Sequence, residues 1–298
     1  MLGTSSPEDA AMRRSAAVRP VRVAVVGHVE WVEFLRVPYV PAPGDIVHAS
    51  EVFEQAAGGG AVAAVQLRKL AGSCLFLTAL GDDEIGHRAE QDLLARRLQL
   101  DPVWRPGEPH RRAVTFIDAD GERTITVLGD RLVPHAATDP LLWGELASCD
   151  AVFLTGGDVE AVQAAREARV LVATSRVLGL IRESGVELDA LVGSARDPSE
   201  RYRPGDLAVP PRYAVMTEGS LGGTWQEPGK DPVRFTPEPL PGPVGDAYGA
   251  GDSFAAGLTY GLGAGMDIAE AVQLAARCGA AAMTGRGAYG GQLVLPQG

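Results

Sequence analysis

A short apolar run, a turn rich in glycine or acidic residues, then a helical pattern: this unit recurs along the chain and restricts the fold more than any bulk property. Val21 to Val26, ended by Gly27, reads as a buried strand, as do Cys74 to Leu80, Ala151 to Leu154, Val170 to Ala173, Leu188 to Val192 and Tyr213 to Met216. Helical patterns cover Ala61 to Ala71, the stretch from Gly86 to about Leu98, Val159 to Ala168, Val177 to Ser184 and Ile268 to Met283, the last with Asp267 and Glu270 in a capping-box spacing. Short apolar strands alternating with helices mark a parallel sheet covered on both faces. Repeated without internal self-similarity, they predict an α/β fold: an open, doubly wound, mostly parallel sheet flanked by helices. Ligands of such a sheet bind beyond the carboxyl ends of its strands.

Two regions break the alternation. Trp31 to Val40 and Ile46 to Phe53 flank the turn Pro41-Ala42-Pro43-Gly44-Asp45, and Val114 to Ile117 and Thr124 to Leu128 flank Asp118-Ala119-Asp120-Gly121. Each reads as a pair of strands joined by a tight turn, the first set apart as a small separate sheet. Arg111, Arg112 and Arg123 on the second pair are expected to be solvated edge charges.

With 298 residues, 46% of them hydrophobic, the chain suffices for one large α/β domain, here residues 21–298, preceded by a loose tail over 1–20. A net charge of −11 argues against nucleic acid and anionic membranes as partners. No run approaches the roughly 18 apolar residues of a membrane span, and the first residues lack the apolar core of a signal peptide. Cys74, Cys149 and Cys278 lie far apart and are odd in number, which speaks for buried thiols in a cytoplasmic, reduced setting rather than disulfides or a metal cluster.

The chemistry is concentrated in Asp246-Ala247-Tyr248-Gly249-Ala250-Gly251-Asp252-Ser253-Phe254. Gly249 and Gly251 let successive N–H groups point at one spot where a helix starts, and the helix dipole adds positive charge there. Such a place attracts a phosphate, yet the first helical position carries the carboxylate of Asp252. A carboxylate beside an anion cradle can take the proton of a hydroxyl whose oxygen attacks a phosphoryl group.

This stretch resembles the second signature of the ribokinase-like (PfkB) carbohydrate kinases, D-T-x-G-A-G-D-x-F. Gly58-Gly59-Gly60 resembles their first, G-G-x-G-x-N, and the Gly81 to Gly86 turn and the Thr217, Gly219, Gly222 loop resemble two further family motifs in the same order. The resemblance implies ATP and Mg²⁺ as cofactors and a sugar-like small molecule as acceptor. It assigns the base to Asp252, the anion hole to Gly249, Ala250 and Gly251, and nucleotide contacts to Thr217, Gly219 and Gly222, with the Ile268 to Met283 helix alongside the adenine. It makes the two interrupting regions, within about 31–56 and 112–128, a β-sheet lid over the substrate; lids pair in some relatives, and an exposed Trp31 and Phe34 are the residues expected to offer a second copy such a face here. Ser194 and Asp197 stand where the family has N-x-x-E, and with Asp246 they are the metal candidates.

The acceptor side departs from the family. Its sugar-binding Asp and Asn fall on Val32 and Val62, and Ala247 replaces a small hydroxyl residue. Gly58 and Gly59 remain to line the substrate, and Glu30, Glu33 and Asp158 are the polar residues near strand ends that stand in for the missing contacts. An acceptor other than ribose is expected. Two other readings stay open at this level: a non-catalytic nucleotide or sugar sensor on the same scaffold, and a dinucleotide-binding oxidoreductase, for which Gly58 to Ala63 fits G-x-G-x-x-A but follows no strongly apolar strand.

Overall fold

The computed structural model describes residues 20–295. In chain order its elements are β1 (Val23–Val26), β2 (Glu30–Arg36), β3 (Glu51–Ala57), α1 (Gly59–Ala71), β4 (Leu75–Gly81), α2 (Glu84–Ala95), β5 (Gln99–Arg105), β6 (Arg112–Ile117) and β7 (Arg123–Leu128). They continue with β8 (Ala151–Leu154), α3 (Val159–Arg166), β9 (Leu171–Thr174), α4 (Leu178–Ser184), β10 (Ala190–Ser194), β11 (Tyr213–Thr217), β12 (Gly223–Gln226), β13 (Val233–Phe235), α5 (Ala250–Gly263) and α6 (Ile268–Ala282). Of the loose tail expected over residues 1–20, residues 1–19 lie outside the described residues.

The large sheet has nine strands in the order β13-β12-β11-β10-β9-β8-β1-β4-β5. From β5 to β11 every pairing is parallel, and β12 and β13 close one edge antiparallel. Alternation along β1 divides the interior in two. Val23 and Val25 enter one core with residues of α1, α5 and α6, while Ala24 and Val26 enter the other with residues of α3 and α4. The expected doubly wound sheet is therefore present, with β9 at its centre and β8 and β1 beside it on the way to the β5 edge.

Three strands went unseen in the sequence: β5 and β13, which form the two edges, and β12, which pairs with β13. β5 contains Pro102 and no fully buried side chain, and β12 and β13 are four and three residues long. An edge strand buries too little to need an apolar run and tolerates proline on its free side, so neither periodicity nor composition announces it.

A second sheet of four strands, β3-β2-β6-β7, stands apart, with β2 parallel to β6 and the other pairs antiparallel. Its contact with the body is aromatic: Phe34 is fully buried, stacks on Phe53 at 4.8 Å between ring centroids and meets Tyr248 edge-on at 5.0 Å. Trp31 is also buried, with the Arg88 guanidinium 4.5 Å over its ring. Neither of the two aromatics expected to face a second copy is thus available. The apolar side chains this sheet does expose are Val52, Ile125, Val127 and Leu128.

Helices α5 and α6 pack closely because small residues face each other. A Cβ on Gly257 would fall 2.8 Å from Ala275 Cα, and one on Gly261 2.9 Å from Ala271 Cα. The capping box of α6 forms as its spacing predicts, Asp267 accepting from the Glu270 amide while Glu270 accepts from the Asp267 amide. Cys74, Cys149 and Cys278 are buried free thiols. Among the described residues no helix is long and apolar enough to cross a membrane.

Candidate active site

Gly249 is the N-cap of α5 and adopts a left-handed conformation, φ 75°, which a side chain would strain; a Cβ there would also meet Val62 Cγ1 at 2.8 Å. The helix starts at Ala250, so Asp252 is its third residue and not its first, as the sequence suggested. The Ser253 amide is the first to bond back, to Gly249 O at 2.8 Å. The amides of Ala250, Gly251 and Asp252 precede it and have no acceptor within the helix. Gly251 is exposed, and no atom lies within 4 Å of where its Cβ would stand. An anion approaching from solvent meets free N–H groups and the positive end of a helix.

Asp252 does not cap that helix. Its carboxyl makes no hydrogen bond or ion pair among the described residues, and Oδ1 lies 3.0 Å from the point where Gly59 would carry a Cβ. Burial pushes its pKa above the ordinary carboxylate range and the charge of Glu30 adds to this, while Arg176 and Arg123 oppose it. A carboxyl that is unbonded, poorly solvated and raised in pKa has the properties of a general base.

Gly58 and Gly59 open α1 directly opposite. Gly58 N donates to the Tyr248 hydroxyl at 3.3 Å, which ties this loop to the one that carries Asp252. Glu30 lies beside Gly58, with Cγ 3.1 Å from the position of a Cβ there, and is nearly buried. Its Oε1 is 2.9 Å from Arg111 Nε and 3.7 Å from His28 Nε2. Arg111 is therefore a pocket residue rather than the solvated edge charge expected of it, because β6 pairs with β2 and brings the start of the hairpin against Glu30. Desolvation holds His28 well below the usual histidine range, so it is neutral, and its Nδ1 is buried with no partner.

The other two acceptor candidates go elsewhere. Alternation along β2 sets Glu33 on the face opposite to Glu30, Val32 and Phe34. Asp158 caps α3 through the Ala161 amide at 2.8 Å and also accepts from Ala136 N at 2.9 Å and Ala137 N at 3.3 Å, so its carboxylate fastens a loop. His28 and Arg111 beside Glu30, and Arg176 with Glu200, were missed as site residues. Their one signal in the sequence is position, since His28 follows the glycine that ends β1 and Arg176 comes two residues after β9.

The nucleotide candidates gather at the ends of β10 and β11, where Ser194 pairs with Thr217 in register. Thr217 Oγ1 donates to Gly193 O at 3.2 Å. Gly219 adopts φ 64° under the Arg196 guanidinium, and Gly222 is buried where a Cβ would strike Phe235 O.

No set of three or more His, Cys, Asp or Glu able to hold a metal occurs among the described residues. Asp246 is fully buried with its two oxygens accepting from Tyr248 N at 3.0 Å and Gly287 N at 2.7 Å, so it is a loop anchor. Ser194 Oγ accepts from Arg196 N at 3.2 Å. Asp197 binds Ser199 and lies 3.5 Å from Arg176, which also pairs with Glu200. This donor set does not make a protein cage, but it suits a cation that keeps its waters and arrives on a triphosphate.

Comparison with known proteins bears on the family and the fold. The family model described as pfkB family carbohydrate kinase matches residues 21–179 and 184–293. A ribokinase of Dictyostelium discoideum is 26% identical over 108 residues, which is 36% of this chain and 34% of that protein, so the match spans about a third of the relative's length. The crystal structure of ribokinase from Thermotoga maritima aligns with a TM-score of 0.73 at 19% identity, over 92% of this chain and 96% of that one. Arabidopsis thaliana ribokinase complexed with ribose and ATP aligns with a TM-score of 0.71 at 19% identity, over 92% and 96%. The two structures establish the fold, and the family model establishes the lineage: this chain belongs to the pfkB family of carbohydrate kinases.

Proposed function

We propose that this protein transfers the γ-phosphoryl group of ATP to a hydroxyl of a sugar-like small molecule with the help of Mg²⁺. One observation carries the reading: the unbonded carboxyl of Asp252 stands between the free amides of Ala250 to Asp252 and the backbone of Gly58 and Gly59. The acceptor lies along Gly58 and Gly59 with Glu30 at its side. As its oxygen forms a bond to the γ-phosphorus, Asp252 accepts the hydroxyl proton, and the bond from that phosphorus to the departing ADP oxygen breaks. Charge developing on the phosphoryl oxygens is met by the first-turn amides of α5. Thr217, Gly219 and Gly222 flank the nucleotide. Asp197 and Glu200 would hold the waters of Mg²⁺, which when bound with ATP neutralises part of the triphosphate charge.

Val32 and Val62 are fully buried, and Val62 backs Gly249, so two polyol contacts are absent and the acceptor is not ribose itself. ADP release should require both an acceptor and Mg²⁺ when aldoses, polyols, nucleosides and sugar acids are screened, and EDTA should abolish it. If no acceptor stimulates ADP release while ATP binds, the sensor reading replaces this one.

The exposed Val52, Ile125, Val127 and Leu128 support self-association through the lid. Sedimentation velocity should show a dimer that Ile125→Glu with Val127→Glu returns to monomer; a monomer at every concentration of the unsubstituted chain rules this pairing out.

A further inference from the structure

The carboxyl ends of α1 and α2 come together around a cavity of about 250 Å³ lined by Val65, Arg68, Lys69, Ala95, Arg96 and Arg97. Arg68 is roughly 14 Å along α1 from Gly59, so this space is separate from the candidate active site. Four of its six lining residues are cationic and none is acidic. The chain as a whole has a net charge of −11, so no general excess of basic residues accounts for the cluster.

Helix ends are the ordinary reason for basic residues in such a place, and here they do not suffice. Each end carries about half a negative charge, and Asp92 adds one more by pairing with Arg96 at 2.9 Å, which offsets about two of the four cations. Lys69 Nζ donates to the Tyr289 carbonyl at 2.6 Å, a neutral acceptor, and the Arg96 guanidinium lies 3.9 Å from the centre of the same tyrosine's ring, so these two cations are held in one small space. Desolvation, with the charges of Arg96 and Arg68, lowers the Lys69 pKa to about 8. The side chains of Arg68 and Arg97 make no hydrogen bond or ion pair among the described residues, and Arg68 Nε is buried. Arg97 holds a left-handed conformation, φ 61°, and is the only non-glycine among the described residues with a positive φ. Glycine usually fills that place after a helix, so a guanidinium is kept at this cavity at a cost in backbone strain.

Buried donors without acceptors are uncommon, and unpartnered guanidinium groups gathered on one cavity point to a ligand that supplies negative oxygens. Size and lining narrow its kind. The cavity is smaller than the roughly 300–1,000 Å³ that encloses a drug-sized ligand, and only Val65 and Ala95 offer it apolar surface, so a nucleobase or a sugar ring gains little there. We propose that the ends of α1 and α2 bind a small, multiply charged oxyanion, a phosphate or a polycarboxylate, through the paired N–H groups of Arg68 and Arg97 with Lys69 and Arg96 beside them. A planar guanidinium fork fits either oxyanion, and a charge of two or more matches the cations left over. This site goes beyond the kinase reading and does not depend on it.

Lys69 and Arg96 are unsuited to the test because they also fasten the fold: Lys69 holds the Tyr289 carbonyl, and Arg96 pairs with Asp92, whose Oδ2 accepts from Ala56 N at 3.1 Å at the end of β3. Arg68 and Arg97 have no such duties. Thermal unfolding is followed without nucleotide in chloride, inorganic phosphate, pyrophosphate and citrate at one ionic strength. Pyrophosphate or citrate should raise the Tm of the unsubstituted protein above its value in chloride, and the larger rise separates phosphate from carboxylate chemistry. By calorimetric titration with the favoured anion, Arg68→Gln and Arg97→Gln should each raise Kd about tenfold, and together they should abolish binding. Both variants should unfold in chloride at a temperature no lower than the unsubstituted protein, since each removes one of four crowded like charges. A Tm no higher in any multivalent anion than in chloride would overturn the proposal. So would binding that survives in the double variant, because that anion is then held elsewhere, as by the free amides of α5. Neither outcome touches Asp252, so the kinase reading stands or falls on its own tests.

Discussion

Asp252→Asn should reduce kcat by about a hundredfold to ten-thousandfold, the span general base catalysis supplies, while leaving ATP affinity nearly unchanged. The substitution keeps size and shape, and the carboxyl it removes makes no hydrogen bond or ion pair among the described residues, so no structural bond is lost with it. The pH profile gives an independent check. The base acts deprotonated, and burial raises its pKa, so activity should fall as pH drops through a value above the ordinary carboxylate range. Burial also raises Glu30 and Glu200, which would add limbs of the same sign. The limb that vanishes in Asp252→Asn is the one that belongs to the base. Substantial residual turnover, or an unchanged profile, would remove Asp252 from that role.

The second large effect is expected at Asp246, through stability. Asp246→Ala leaves the amides of Tyr248 and Gly287 buried without acceptors, a loss of roughly 2 to 6 kcal/mol at one to three per orphaned donor. Asp246→Asn keeps one acceptor oxygen and should lose about half as much by denaturant unfolding. Both should lower kcat as well, because the Asp246 to Tyr248 turn feeds directly into Gly249 and the amides of α5. Excess Mg²⁺ should rescue neither. Rescue would restore Asp246 as a metal ligand, the role its place in the sequence suggested.

Legibility followed burial. Strands such as Ala151–Leu154, covered on both faces, must be apolar throughout, so the alternation of the central sheet could be read directly. Strands at the edges carry no such requirement and were missed. Phe34 and Trp31 were misread for a related reason: a strand's sequence shows that two side chains point to opposite faces, but not that one face meets Tyr248 and the other Arg88.

Within the site, Gly249, Asp252, Gly58 and Gly59 were readable because their chemistry depends on local backbone, a turn without Cβ atoms leading into a helix. Asp158 was readable as an acid near a strand end and Asp246 as the acid that opens the signature stretch, yet their oxygens proved committed to backbone amides, which no spacing discloses. The residues around Glu30 were illegible since His28 follows β1 and Arg111 leads into the β6 to β7 hairpin, far apart along the chain.

By itself the sequence determined the strand and helix alternation, the glycine turn that opens α5 and the carboxylate in its first turn, because each of these rests on interactions between near neighbours. Only the tertiary structure decided which charges lie together and which of them are already paired, as Glu30 is with Arg111 and Glu200 with Arg176. Electrostatic pairing depends on distance through space, and the crossovers between parallel strands bring together groups that the linear order keeps apart.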